Sequence, residues 1–373
     1  MKHWNDILKA DNPAILAWAE TRDWAQRMAA CGQDSGWHAE GDVWTHTRMV
    51  FEEVAKLAEY PELDRVDQLK LLFAALFHDS GKTDTTVLDE ETQRIRSPKH
   101  ALVGANLCRR VLRELEAPFD VRESIVALAR FHGRPPYLME KEDPAREVID
   151  LSWRVDNRAL YLFALADTRG RKTAVTGRAE DDLHLWRLQC EEQDCFESPF
   201  PFANDHARFL FYRGRLSSLH YAPQEEFSCT VTLMAGLPGA GKNHWLAANR
   251  PDLPVVALDD LRERMGVDPA DNQGVVIQAA KEECRKHLRA GRGFAFNATN
   301  TIRNTRRKWV DLFADYGARI EIVCIEPSLR TVLAQNRERE NPVPERVIQK
   351  LADNLEPPDW TEAHGVEWAT NSG

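Results

Sequence analysis

The chain has 373 residues, 43% hydrophobic and 29% charged, with a formal net charge of −10. That length points to two cores, and the balance of apolar and charged residues to a soluble globular protein. The negative total excludes bulk electrostatic attraction to nucleic acid as the main binding force and leaves only local basic patches for that role.

The opening residues, Met1-Lys-His-Trp-Asn-Asp6, lack the apolar core of a secretory leader, and no apolar run in the chain is long enough to span a bilayer. A cytoplasmic location without a membrane partner is therefore expected. Seven scattered cysteines suit reduced thiols, and Cys190 and Cys195, with no second pair, read as packing residues.

Residues 1–220 read as nearly all helical. Trp4, Ile7 and Leu8 start an apolar face that Ile15, Trp18 and Ala19 continue after Pro13. Leu69, Leu72, Phe73, Leu76 and Phe77 have helical spacing, and Gly81 offers a stop. Ser124 to Phe131 and Leu160 to Ala166 read as further buried helices. On this frame stand His46, the adjacent His78-Asp79, His100, His132 and Asp167, each within or ending an apolar segment. A buried imidazole or carboxylate needs a partner, and several converging from different helices suit a divalent transition metal.

The order H…HD…H…H…D resembles the HD phosphohydrolase superfamily. The words Phe77-His-Asp-Ser-Gly-Lys82, Lys99-His-Ala101, Arg130-Phe-His132 and Ala166-Asp167 are most similar to HD domains attached to some tRNA nucleotidyltransferases, over roughly residues 35–175. The resemblance implies an all-α metal-dependent phosphohydrolase acting on 2′,3′-cyclic, 2′- or 3′-phosphates. It implies His46, His78, Asp79 and Asp167 around one metal, with Asp79 bridging to a second held by His100 and His132. One or two divalent transition metal ions are thus expected, with Asp79 in a catalytic role. Lys82 reads equally as a catalytic phosphate ligand and as a cation at a helix C-terminus. Arg130, Arg134 and Arg169 are read as candidate phosphate clamps or solvated surface residues.

From 176 to 227 the pattern weakens. Asp181 to Leu188 and Asn204 to Tyr212 read as short helices, and Phe200, Phe202, Phe209, Phe211 and Tyr212 as packing between domains. The boundary is expected near 225, giving domains 1–225 and 226–373.

The alternating apolar run Ser228 to Ala235 then enters Gly236-Leu-Pro238-Gly239-Ala240-Gly241-Lys242, the phosphate-loop pattern in its strand–loop–helix context. Backbone N–H groups of such a loop curl around an anion, and Lys242 adds a point charge. Asn243 stands where Ser or Thr normally holds magnesium. Predicted strands at 253–258, 294–296 and 318–326 alternate with helices at 274–290 and 304–316, one capped by Ser328 and one started by Pro344. This alternation predicts an α/β domain with a parallel sheet, whose ligands bind beyond the strand C-termini. The tail after Leu355 reads as a lightly packed cap. Arg285, Lys286, Arg289, Arg292, Arg303, Arg306, Arg307 and Lys308 form a basic concentration, either a solvated helix face or a strand-binding surface.

Asp259-Asp-Leu-Arg262 resembles the D-D-x-R word of phage polynucleotide 5′-kinase, Thr299-Asn300 with Arg306 its T-N…R segment, and Asn336-Arg-Glu-Arg339 with Val343-Pro344 its lid. That resemblance implies a P-loop kinase using ATP, or another nucleoside triphosphate, with Mg2+. Asp259 is then the general base, Arg262 and Arg306 nucleic-acid contacts, and Arg339 a clamp on the transferring phosphate. Residues 236 and 238–243 with Arg339 make the ATP site. Gln335 replaces the first lid arginine, leaving Arg337 as a substitute, and Asn297 stands where an acid is common.

Together the halves resemble bacterial HD-Pnk end-healing enzymes. They imply removal of cyclic or terminal phosphates from RNA or DNA and phosphorylation of 5′-hydroxyl ends, with a functional link to a ligase. Two other readings stay open. One is a small-molecule kinase joined to a nucleotidase. The other is an ATP-gated RNA-binding module with a degenerate kinase site.

Overall fold

Aspartates start the main helices of the first half. In the computed structural model, which describes residues 1–34, 36, 38–172, 178–268, 271–339 and 341–370, helices α1 (Val43–Val54), α2 (Arg65–Phe77) and α5 (Asn157–Arg169) begin at Asp42, Asp64 and Asp156. Each carboxylate accepts a backbone N–H three residues on, at 2.9, 2.8 and 2.9 Å. Helices α3 (His100–Glu114) and α4 (Phe119–Phe131) complete the frame.

The chain divides into two compact units, Met1–Pro201 and Phe202–Gly373. In the first, α2 is the central rod. Leu69 and every residue from Leu71 to Phe77 are buried, so the chain delivers His78 and Asp79 into the interior. The N-terminal helices lay tryptophans against it: Trp4 meets Phe73 edge-on at 5.3 Å, and Trp24 lies 4.7 Å from Phe77. The expected helices are present, extended at their ends. Cys190 and Cys195 are buried free thiols, as packing residues.

Gly81 has a different task from the helix stop expected of it. A Cβ there would lie 2.1 Å from the His100 carbonyl oxygen, and one on Gly104 would lie 2.9 Å from that of Phe77. The two glycines let the end of α2 and the start of α3 touch backbone to backbone. That contact brings His78-Asp79 and His100 into one site.

The second unit is a five-stranded sheet: β1 (Thr230–Ala235), β2 (Val255–Ala257), β3 (Phe294–Asn297), β4 (Arg319–Ile325) and β5 (Gly365–Ala369). Its order is β2-β3-β1-β4-β5 and every pairing is parallel. Val231, Leu233, Phe294, Phe296, Ile320 and Ile322 are fully buried, as strands covered on both faces require. Helix α6 (Lys242–Asn249) follows the phosphate loop, α7 (Leu258–Met265) follows β2, α8 (Arg303–Ala314) follows β3 and α9 (Leu329–Arg337) follows β4. Ser328 caps α9, accepting the Thr331 N–H at 3.1 Å. The chain is thus a helical unit, departing from the expected all-α in the short antiparallel ladder of Val87–Leu88 with Ile95–Arg96, followed by an α/β unit with a phosphate loop and a parallel sheet.

Two boundaries differ from expectation. The units divide between Pro201 and Phe202 rather than near 225. Residues after Pro201 join the second unit because Arg208 donates to the carbonyls of Trp360 and His364, at 3.0 and 2.7 Å, and Phe209 stacks on His364 at 3.9 Å. Phe209 therefore belongs to the second unit's own core. The tail after Leu355 is no loose cap. It supplies β5, it buries Ala363 and Val366, and Glu362 forms a buried ion pair with Arg306.

Candidate functional site

Three imidazoles in the first unit are held by Nδ1 hydrogen bonds to carbonyls, and a fourth has a carboxylate beside its Nδ1. His78 Nδ1 lies 2.9 Å from the Ala75 carbonyl, His100 Nδ1 2.8 Å from that of Ser97, and His132 Nδ1 2.9 Å from that of Ala129. His46 Nδ1 lies 3.0 Å from Glu40 Oε1. A carbonyl partner makes Nδ1 the proton carrier of His78, His100 and His132 and leaves Nε2 as a lone pair, while the carboxylates beside His46 favour its charged form until a metal displaces the proton.

Those Nε2 atoms converge in two sets. His46 and His78 Nε2 are 3.3 Å apart, with Asp167 Oδ1 3.1 Å from the first and Asp79 Oδ2 3.3 Å from the second. His100 and His132 Nε2 are 3.5 Å apart, with Asp79 Oδ1 at 3.4 and 3.8 Å. His100 and His132, facing one another lone pair to lone pair, repel unless a cation lies between them. Metal–ligand bonds of about 2.1 Å set donors roughly 3.0–3.4 Å apart, which both sets approach. The donor sets therefore fit divalent metal ions. Asp79 turns one oxygen to each set, so His46, His78, Asp167 and Asp79 face one position, and Asp79, His100 and His132 the other.

The charges around the donors are matched. Burial would raise the Asp79 carboxyl, but Lys82 and His78 hold it well below the usual range. Arg171 and His46 do the same for Asp167 against its burial. Burial alone would push His46 down, yet Asp167 and Glu40 raise it to about 9. Burial, with His78 alongside, drops His132 to about 3 and keeps it neutral. Lys82 Nζ forms an ion pair with Asp79 Oδ2 and donates to Gln33 Oε1, each at 2.7 Å. Lys82 begins a helical turn rather than ending a helix, so it does not cap a C-terminus.

A cleft of about 300 Å³ opens over this centre. Asp79, Lys82, His100, His132, Asp167 and Arg171 line it. The clamp candidates Arg134 and Arg169 are occupied elsewhere, by Glu147 and Glu180. The arginine at the cleft is Arg171, 3.2 Å from Asp167 Oδ2. Arg171 and Glu40 went unread in the sequence. Glu40, half-buried with its side chain enclosed, lies between His46 and His38, 2.8 Å from His38 Nδ1, and takes the Lys172 N–H at 3.1 Å. Position Asp167+4 on the helical repeat was the one available signal for Arg171.

The second unit's site lies beyond the ends of β1, β2 and β3. Gly236, Gly239 and Gly241 have φ of +142°, +80° and +96°, which side chains disfavour. At Gly236 a Cβ would also strike the Ile325 carbonyl at 2.5 Å. Lys242 Nζ bends back onto the carbonyls of Gly236 and Leu237, at 3.0 and 2.9 Å. Its burial there pushes its pKa down to about 8, with Asp259 countering and Arg339 adding to the fall. Asp259 and Arg339 are thus the charges that Lys242 senses. Arg262 pairs with the exposed Asp259 and donates to Gln273 Oε1 at 2.6 Å. Asn297 Nδ2 donates to Asn243 Oδ1 at 2.5 Å, so the two amides that replace magnesium-holding groups meet each other.

Two expectations change here. Arg306 is fully buried, forked onto both oxygens of Glu362 at 2.8 Å each, and donates to the Asn300 carbonyl at 2.9 Å. It offers no surface to nucleic acid; it fixes the loop whose Asn300 holds the Met234 carbonyl at 2.8 Å. Arg337 pairs with Glu345 at 2.7 Å rather than standing free as a second clamp. Asn336 is buried and clasps Val343 through both amide atoms, at 2.8 and 3.0 Å, which ties the segment between α9 and the helix Glu345–Asp353.

Residues 43–156 match the family described as HD domain, and residues 231–358 the family described as AAA domain. The multifunctional CCA protein of Halorhodospira halophila is 32% identical over 144 residues, covering 37% of this chain and 32% of that protein. That of Vibrio cholerae is 25% identical over 183 residues, covering 46% and 42%. The CC-adding tRNA nucleotidyltransferase of Thermus thermophilus is 38% identical over 89 residues, covering 24% and 19%. The chain thus spans less than half the length of these curated relatives. A gluconokinase from Sinorhizobium meliloti superposes over 40% of this chain and 86% of its own at 14% identity, with a TM-score of 0.30.

Proposed function

We propose that this chain heals nucleic-acid ends: its first unit removes 2′,3′-cyclic, 2′- or 3′-phosphates, and its second phosphorylates 5′-hydroxyls with ATP. The observation that supports this reading is that each unit carries its own phosphate-directed site. One is a carboxylate shared between two imidazole sets beside two cations. The other is a glycine loop and lysine with an aspartate–arginine pair at the neighbouring strand end.

In the first unit, His46, His78, Asp79 and Asp167 would hold one divalent ion, and Asp79, His100 and His132 a second. Such ions, when bound, activate water and neutralise phosphate oxygens. The chain's own part is to place Lys82 and Arg171 where phosphate oxygens arrive, to keep Asp79 and Asp167 ionised and His132 neutral, and to aim the donors. In the second unit, Lys242 leaves the loop carbonyls for the nucleotide's phosphates. Asp259 accepts the proton of the attacking 5′-hydroxyl at a carboxylate oxygen. Arg262, already beside it, grips the adjacent phosphate of the strand, and Arg339 the transferring group. The likeness of the first unit to a CC-adding tRNA nucleotidyltransferase agrees with an RNA substrate. The ends produced, 3′-hydroxyl and 5′-phosphate, are those a ligase joins.

The test is an RNA bearing a 2′,3′-cyclic phosphate and a 5′-hydroxyl, incubated with metal, with and without ATP, and both ends identified. The 3′ change should need no ATP and should vanish in Asp79→Ala. The 5′ change should need ATP and vanish in Lys242→Ala or Asp259→Ala. Loss of both activities in any one variant overturns the two-site reading.

A further inference from the structure

The cleft over the metal-ligand centre is zoned. Its floor is charged, with Lys82 and Arg171 beside the aspartates. Ile95, Pro136 and Tyr137 add apolar surface to the cleft's lining, Tyr137 standing exposed at the mouth, alongside the polar Gln33, Asp34 and Ser97. Tyr137 sits in the 3-10 segment Pro135–Glu140, whose Pro135 and Leu138 are buried. Two prolines restrict that backbone, and Leu138, only 1% exposed, pins it, while Tyr137 is 52% exposed. The ring is thus held out on an anchored segment.

The surrounding surface repeats the pattern. Met139 is 60% exposed, and Leu88, 59% exposed, pairs in register with the cleft-lining Ile95. Burying such side chains stabilises a fold, and a cluster of exposed ones around a cleft marks a binding surface. A simple phosphate or sugar phosphate would use the floor alone. A ligand with a phosphate at one end and a flat apolar ring at the other matches both zones.

We infer that this mouth is a nucleobase subsite, with Tyr137 as the stacking face and Pro136 and Ile95 as its walls. The ligand class is a nucleoside 2′- or 3′-phosphate, free or as a strand's last nucleotide. The inference rests on reading the floor as a phosphate-ester site. It adds that the base itself is held, by stacking and so with little preference among bases.

The test measures equilibrium binding of adenosine 2′-monophosphate and of glycerol 2-phosphate to the metal-loaded full chain. The second ligand keeps the phosphate ester and lacks the base. Wild type should prefer the nucleotide. Tyr137→Ala should weaken the nucleotide roughly five- to a hundredfold and leave glycerol 2-phosphate unchanged, while Tyr137→Phe keeps the nucleotide within about twofold. An equal change in both ligands, or in neither, overturns the subsite. Wild type that binds glycerol 2-phosphate as tightly as the nucleotide overturns it too, with the phosphate floor intact. Wild type that binds neither overturns the phosphate-ester reading and the subsite with it.

Discussion

Asn243 and Asn297, 54 positions apart in sequence, share a hydrogen bond at the mouth of the phosphate loop. One stands where a hydroxyl and the other where a carboxylate ordinarily serves magnesium. Their contact spends one amide oxygen on the other amide's N–H, and neither brings charge. The chain therefore offers its nucleotide a neutral, self-satisfied pair where a charged metal seat is usual.

The consequence is a weak demand for magnesium in binding. Nucleotide affinity should change little when magnesium is chelated, since the loop amides and Lys242 carry the phosphates. Asn297→Asp with Asn243→Ser should introduce a magnesium dependence of roughly tenfold or more, because a charged ligand binds the ion better than an amide. Titration with a fluorescent ATP analogue, with and without chelator, reads both states.

Glu40 makes a second case for a partner behind the reacting residues. Its enclosed carboxylate lies 3.0 Å from His46 Nδ1. Glu40→Ala should lower metal affinity about 10- to 100-fold, and Glu40→Gln, which keeps an acceptor, should lose less. Competition with a chelator of known affinity, read as metal content, distinguishes them.

Gly81→Ala tests the backbone contact between α2 and α3. The added methyl would overlap the His100 carbonyl, and forcing α3 away should cost about 1–3 kcal/mol. His100 moves with α3, so the variant should keep metal at the His46 set and lose it at the His100 set. Equal retention of both ions would contradict the geometry.

The Arg306–Glu362 pair should behave as a stability element. Removing either partner leaves a buried charge and should cost about 3–5 kcal/mol, while an apolar pair of matching size recovers most of it. Denaturant unfolding measures the loss. Because Arg306 is enclosed, the salt dependence of nucleic-acid binding by a folded Arg306 variant should stay that of wild type.

Acid should weaken the second unit through His364. Burial, with His206 beside it, drops its pKa to about 3, and its Nδ1 accepts the Ile320 N–H at 3.1 Å. The unfolded chain takes up a proton near pH 6.5 that the fold refuses, so stability is complete above that pH. It falls by up to about 1.4 kcal/mol per unit as pH drops from there toward 3. Urea midpoints at pH 7 and pH 5 should separate in wild type and draw together in His364→Phe, which starts lower for want of the acceptor.

The sequence by itself determined the two units, the helices and parallel strands, the ligand order from His46 to Asp167, and the glycine loop. Those follow from periodicity, caps and short words, which act within a few residues. Tertiary structure decided what depends on distant partners. His46 meets Asp167 across 121 positions, and Arg306 meets Glu362 across 56. Only the fold shows that Glu40 stands behind His46 and that Arg306 faces inward. A side chain's type states what it can bind; burial and the partner that arrives from elsewhere in the chain determine whether it is still available to do so.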